Sequence, residues 1–167
     1  MSEQDRDAAF TEYVTATAPW LRKVAYLLCQ DWHRADDLVQ SSIIKLYLGW
    51  GKAEKIGNID GYARRVVVNT FLAEQRSPWW RRVVLHREQP VDAVADVTDL
   101  ELSLDLGNAL AELPPRQRAT VVLRYFCDLS VEETAAVLSC STGTVKSQTS
   151  RGLDALRRVL DTRPAIL

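Results

Sequence analysis

Little in this chain suits metal, disulfide or membrane chemistry. Of its 167 residues, three are cysteine (Cys29, Cys127 and Cys140) and two are histidine (His33 and His86). The cysteines are odd in number and far apart, form no CxxC pair and have no flanking histidine. That spacing argues against a disulfide framework or a zinc site, so buried free thiols and no metal are expected. No apolar run approaches the roughly 20 residues a membrane helix needs. The opening MSEQDRDAAF is polar and acidic and lacks the apolar stretch of a signal peptide, so a soluble cytoplasmic protein is expected. Strand-like alternation and internal repeats are missing. No Gly-rich phosphate loop or nucleophile elbow occurs, and the neighbouring acids Asp36 and Asp37 near His33 do not face one another on a helix. No enzymatic activity and no cofactor are expected.

Net charge is also scarce, at −1. Its distribution is uneven. Residues 61–82 hold five Arg against one Glu, residues 83–106 one Arg against six acids, and residues 139–167 five basic residues against two acids. Two basic segments are separated by an acidic one, so a near-neutral total hides two electrostatic footprints. The acidic stretch, with Pro90, is the best linker candidate.

What is present is helical periodicity. The most informative stretch is DLSVEETAAVLSCSTGTVKSQTSRGLDALRRVL, from Asp128 to Leu160. Ser130 and Glu133 form a capping box. Ala135 and Leu138 share a face, and the small Ala135 lets a second helix cross closely. Ser139, Cys140 and Ser141 make a turn, and Ser141 caps a helix that carries Val145, Leu153 and Leu156 inward. Lys146, Ser147, Gln148, Ser150 and Arg151 are left outside. This pattern suits a helix-turn-helix whose second helix enters the major groove, with Lys146 and Arg151 on phosphates and the shorter polar residues on base edges. An ordinary helical hairpin with a solvated polar face is the plain alternative.

Upstream, the spacing predicts a helix over Ala8–Gln30, kinked or split at Pro19. A second follows over Asp31–Trp50, with Leu38, Ile43, Leu46 and Trp50 near one stripe. Gly49, Gly51 and Gly57 mark a loop. A third helix runs over Asp60–Arg76 with Asp60 as its cap; Ser77-Pro78 ends it. Trp79, Trp80, Arg81 and Arg82 then set rings beside guanidinium groups. That mixture suits single-stranded nucleic acid, and it equally suits two Trp closing a small core under Arg stems. Helices are further expected over Asp99–Glu112 and Pro115–Cys127, the latter exposing Arg116, Arg118 and Arg124. The fold class is therefore all-α: two small helical domains, residues 1–82 and 99–163, joined by a flexible linker over residues 83–98.

Three segments together resemble one family. ALAELPPRQRATVVLRYFCDLSVEETAAVLSCSTGTVKSQTSRGLDALRRVL is similar to region 4, RADDLVQSSIIKLYLGW to region 2.2, and YARRVVVNTFLAEQR to regions 2.3 and 2.4, of bacterial extracytoplasmic-function (ECF, group IV) sigma factors of the sigma-70 family. In detail the pattern looks like the SigE-like actinobacterial branch. The resemblance implies a promoter-specificity subunit of RNA polymerase. The first domain would dock on the β′ clamp helices through Asp36, Asp37, Leu38, Gln40, Leu46 and Trp50, although Leu38 and Leu46 also suit core positions. Arg64, Arg65, Asn69, Arg76, Trp79 and Trp80 would read and melt the −10 element. Thr144, Lys146, Ser147, Gln148, Ser150 and Arg151 would read the −35 element, with Arg118 or Arg124 on phosphates. The β flap, promoter DNA and an anti-sigma factor are the further partners implied.

Three positions depart from the family pattern. Ala73 stands where an acid or amide is frequent, Ser41 where an acid commonly follows the Gln, and Gln148 where Arg often follows Lys-Ser. Gln favours adenine where Arg favours guanine. A stand-alone helix-turn-helix regulator is the competing reading. It needs neither the DDLVQ helix nor a second basic, Trp-rich helix end, and this chain has both.

Overall fold

The computed structural model describes residues 2–76 and 106–161, and every regular element among them is helical. The first module holds α1 (Glu3–Cys29), α2 (Trp32–Leu48), α3 (Trp50–Ile56) and α4 (Ile59–Arg76). The second holds α5 (residues 106–111), α6 (Pro115–Val121), a π-helical turn (Val122–Phe126), α7 (Val131–Leu138) and α8 (Thr142–Asp161). The expected linker over residues 83–98, Trp79 and Trp80, and the start of the helix expected over Asp99–Glu112 lie outside the described residues.

Local chemistry accounts for most boundaries. α1 begins earlier than Ala8 because Ser2 and Asp5 form a capping box. Pro19 neither ends nor splits it. The residue lies on the exposed side of a continuous helix, where water can take the carbonyl left without a donor. Asp31 caps α2, its side chain accepting the His33 N–H at 2.8 Å. The expected loop over the glycines instead contains α3, because burial of Trp50 and Ala53 outweighs the helix cost of Gly51. Gly57 closes α3 with a φ of 75°, a left-handed conformation in which glycine alone carries no Cβ penalty. Asn58, not Asp60, caps α4: its side chain accepts the Gly61 N–H at 3.0 Å. Asp60 lies in the first turn and accepts the Tyr13 hydroxyl proton at 2.7 Å. Burial, and then that bond, push the Tyr13 pKa up.

Leu21, Val24 and Leu28 of α1 pack on Leu38 and Leu46 of α2 and on Val67, Val68 and Phe71 of α4, all buried. Each such side chain contributes about 1.5–3 kcal/mol by leaving water. The second module closes over Leu113, Ala119, Leu123, Val145 and Leu156. α8 crosses α6 at Gly152, where a Cβ would stand 2.7 Å from Val121 Cγ2. The two cores are continuous: α7 packs on α4, and the π-helical turn and α6 reach α1.

Candidate nucleic-acid and polymerase interface

The capping box at the start of α7 forms as its sequence requires. Ser130 Oγ accepts the Glu133 N–H at 3.0 Å, and Glu133 Oε1 accepts the Ser130 N–H at 3.0 Å. Those bonds hold the Glu133 pKa below the usual carboxylate value. Ser139 takes the left-handed turn with a φ of 52°. Ser141 then caps α8, accepting the Thr144 N–H at 3.1 Å. Val145 and Leu156 are buried beneath α8, and Thr144, Lys146, Ser147, Ser150 and Arg151 are exposed. These five share the solvent side of the helix. Gln148 does not join them. It is half-buried, with Oε1 enclosed and without a hydrogen-bond partner among the described residues. A helix turns 100° per residue, so position 148 points toward the side of Val145 and Gly152.

Beside this row, Lys146 and Ser150 share a shallow pocket with Arg124, Arg157, Thr149, Asp154 and Val131, the first residue of α7. Three cations and two hydroxyls converge there. Arg157 was not singled out from sequence; its signal is the spacing 146, 150, 157 along one flank of α8. Arg124 is half-buried and donates to the Leu129 carbonyl, so only part of its guanidinium is committed. Arg118, expected on the surface, is 9% exposed. It is enclosed because backbone carbonyls surround it: Nε donates to Leu110 O at 2.8 Å, NH1 to Leu28 O at 2.6 Å, and NH2 to Ala111 O and Leu113 O at 3.2 and 2.9 Å. A side chain so held does not reach phosphate. Arg116 is exposed as expected, and its NH2 donates to Leu138 O at 3.4 Å.

On α4, Arg65, Asn69 and Arg76 are exposed in one row with Ala73. Arg64 lies a quarter-turn away. Its guanidinium carbon sits 5.3 Å from the centre of the Trp20 ring, and its Nε is buried without a hydrogen-bond partner among the described residues. The structure therefore brings three of the four described −10 candidates together and sets Arg64 apart, over Trp20 of α1.

Leu38 and Leu46 of α2 and Trp50 at the start of α3 are 0%, 2% and 3% exposed, so their side chains fill the core rather than a partner's surface. Trp50 packs against Phe10 and Tyr13 at ring separations of 5.4 and 5.5 Å. Asp36 pairs with Arg22 at 2.7 Å. Gln40 is exposed and Asp37 half-exposed. They open a stripe that continues through Ile44, 62% exposed, and Leu48, 80% exposed. The sequence signal for this stripe is the 37, 40, 44, 48 spacing, which a reading centred on the core-facing leucines passes over.

Among the described residues there is no cluster of three metal-ligating side chains and no helix long and apolar enough to cross a membrane. The three cysteines are free thiols, with Cys29 buried. Burial pushes its pKa up to about 12 and that of Cys127 up to about 11.

Comparison with known proteins places these surfaces in a family. Residues 13–81 match the Sigma-70 region 2 model, and residues 103–156 match Sigma-70, region 4. RNA polymerase sigma-E factor of Streptomyces avermitilis is 38% identical over 92% of this chain and 86% of its own length. ECF RNA polymerase sigma factor SigM of Mycobacterium tuberculosis is 31% identical over 84% and 71%. The sigma factor RpoE of Bartonella quintana, solved with the anti-sigma factor NepR, superposes with a TM-score of 0.75 at 27% identity, covering 93% of this chain and 99% of that one. CnrH, solved with the cytosolic domain of CnrY, shares the fold with a TM-score of 0.69 over 95% and 91%. With an all-helical pair of modules, a capped helix-turn-helix and relatives that match nearly end to end, the chain belongs to the ECF group of the sigma-70 family, RNA polymerase sigma factors that direct transcription initiation without catalysis of their own.

Proposed function

We propose that this sigma factor divides its work among three exposed helix faces. Asp37, Gln40, Ile44 and Leu48 of α2 dock on the β′ clamp helices of core polymerase. An apolar ridge supplies affinity there, and the flanking acid fixes orientation against a basic partner. Arg65, Asn69 and Arg76 of α4 engage the −10 element, Asn69 by hydrogen bonding to a base that has left the stack and the arginines by holding the strand. Thr144, Lys146, Ser147, Ser150 and Arg151 of α8 read the −35 duplex, and the Arg124–Arg157 pocket takes the adjoining phosphates. Trp79 and Trp80 join the −10 set as stacking platforms, and the β flap is the second polymerase contact. A cytoplasmic location follows from a role on chromosomal DNA. The solved relatives in complex with NepR and CnrY support a partner of anti-sigma type.

The observation that carries this reading is the separation of the faces: no residue is asked to serve two partners. The test is transcription by purified core polymerase plus this protein on a library of promoter fragments. Shared −35 and −10 sequences upstream of the new start sites are the expected result. Lys146→Ala and Arg151→Ala should weaken promoter binding and each lower the salt slope by about one, with polymerase co-purification intact. Loss of co-purification in those variants contradicts the division. Sequence-specific duplex binding by a protein that ignores polymerase favours the stand-alone regulator.

A further inference from the structure

The outward face of α8 does not end at Arg151. Each residue advances about 100° around a helix, so positions 147, 151, 154 and 158 fall in one narrow stripe. Asp154 lies almost directly above Ser147, about 10 Å further along the axis. Asp154, Arg157 and Arg158 are all exposed. The Asp154 carboxylate thus stands on the same side of the helix as the residues assigned to the −35 duplex.

Its surroundings are cationic. Asp154 is the one acid among the described residues lining the shallow pocket that Arg124, Lys146 and Arg157 share. Arg157 NH1 lies 3.9 Å from Asp154 Oδ1, with the two side chains 74% and 64% exposed. An ion pair so long and so well solvated adds little to the helix. Arg158 Nε donates to the Asp154 backbone carbonyl at 3.4 Å, which keeps a second guanidinium beside the carboxylate. A surface shaped only to hold phosphate has no use for an acid here, because the carboxylate repels every phosphate that the neighbouring cations attract.

Duplex affinity has two parts. Phosphate neutralisation is the same for every sequence and dominates binding to bulk DNA, whereas base-edge contacts carry specificity. Asp154 acts on the first part. Its charge cancels about one phosphate contact, while Ser147, two turns nearer the helix start, keeps its access to base edges. A genome offers about a million or more competing sites. A sigma factor with one more phosphate contact is detained there longer and is less available to polymerase.

We propose that Asp154 is a charge brake on the −35 face: it holds down sequence-independent binding to duplex DNA and so keeps the protein available to core polymerase. This rests on the −35 reading of α8 above.

The test is a fluorescence-anisotropy titration of the full-length protein with a promoter-free duplex over a range of salt concentrations. Asp154→Asn keeps the shape and removes the charge. It should bind that duplex about five- to tenfold more tightly at about 0.1 M salt and steepen the salt slope by about one. Helical circular dichroism and melting temperature should stay close to wild type, and Asp154→Glu should restore wild-type binding. A part confined to helix stability would leave the salt slope where it is. After preincubation with excess promoter-free duplex, followed by core polymerase and promoter fragments, Asp154→Asn should yield less transcript than wild type. Wild-type affinity and slope in a folded Asp154→Asn variant, undetectable binding by both proteins, or undiminished transcript from the preincubated variant overturns the brake. Weaker promoter binding by Asp154→Asn also overturns it, and assigns the carboxylate to the amino group of a cytosine instead. Lys146→Ala, assembled with core polymerase on a promoter fragment, decides the −35 reading separately: undiminished promoter binding there contradicts that reading whatever Asp154 does.

Discussion

Single residues decide which face of a helix meets a partner, and α2 shows how sequence can mislead at that scale. Its DDLVQ start and its leucines carry the family resemblance, yet Leu38 and Leu46 face inward because the docking helix must also close its own module. Leu38→Ala should therefore cost about 2–5 kcal/mol of stability, the usual range for a large-to-small change at a fully buried site. Leu48→Glu, on an 80% exposed side chain, should leave stability within about 0.5 kcal/mol and weaken polymerase co-purification. Chemical denaturation and a pull-down separate the two effects. Wild-type polymerase binding by a folded Leu48→Glu variant removes Leu48 from the interface. Arg118 was illegible for a different reason. Periodicity treats arginine as a surface residue, whereas its burial depends on carbonyls from four other positions, one of them in the other module. No local pattern encodes that.

At the scale of elements, local chemistry was readable wherever it suffices. The Ser130–Glu133 capping box and the Ser141 cap are short-range and formed as the sequence requires. Ser130→Ala should cost about 1 kcal/mol, measured as a lower urea midpoint at unchanged m-value. The box is also pH-dependent. The pKa of Glu133 is depressed in the folded chain, so its contribution is complete above the ordinary carboxylate pKa and fades as pH falls through the lower folded value. The stability gap between wild type and Glu133→Ala should therefore narrow in acid, because the carboxylate accepts the Ser130 backbone N–H; a constant gap would mean the carboxylate plays no part. α3 was missed because its helicity comes from tertiary burial of Trp50 and Ala53, not from propensity. Gly152 was passed over too. An interior helical glycine looks like a weak point, yet here it admits Val121. Gly152→Ala gains about 1 kcal/mol of helix propensity and meets an overpacking cost of about 1–3 kcal/mol, so a net loss in thermal melting is expected. A net gain would show that Val121 yields freely.

At the scale of the whole molecule, composition points to two beads on an acidic string, since the charge pattern divides the chain cleanly. The packing between the beads has no short-range signature; it depends on Arg118, Gly107 and the meeting of α4 with α7. A linker reading predicts two independent unfolding transitions. A continuous core predicts one, because neither module can open without exposing apolar surface of the other. Scanning calorimetry of the full chain should show a single transition whose calorimetric and van't Hoff enthalpies agree. Gly107→Leu, which drives the modules apart while sparing each interior, should split or broaden it. Two resolved transitions in the wild type would mean that the shared core contributes too little to couple the modules. A single sharp one in a folded Gly107→Leu variant would place the coupling at the α4–α7 contact, away from the junction of α1 with α5.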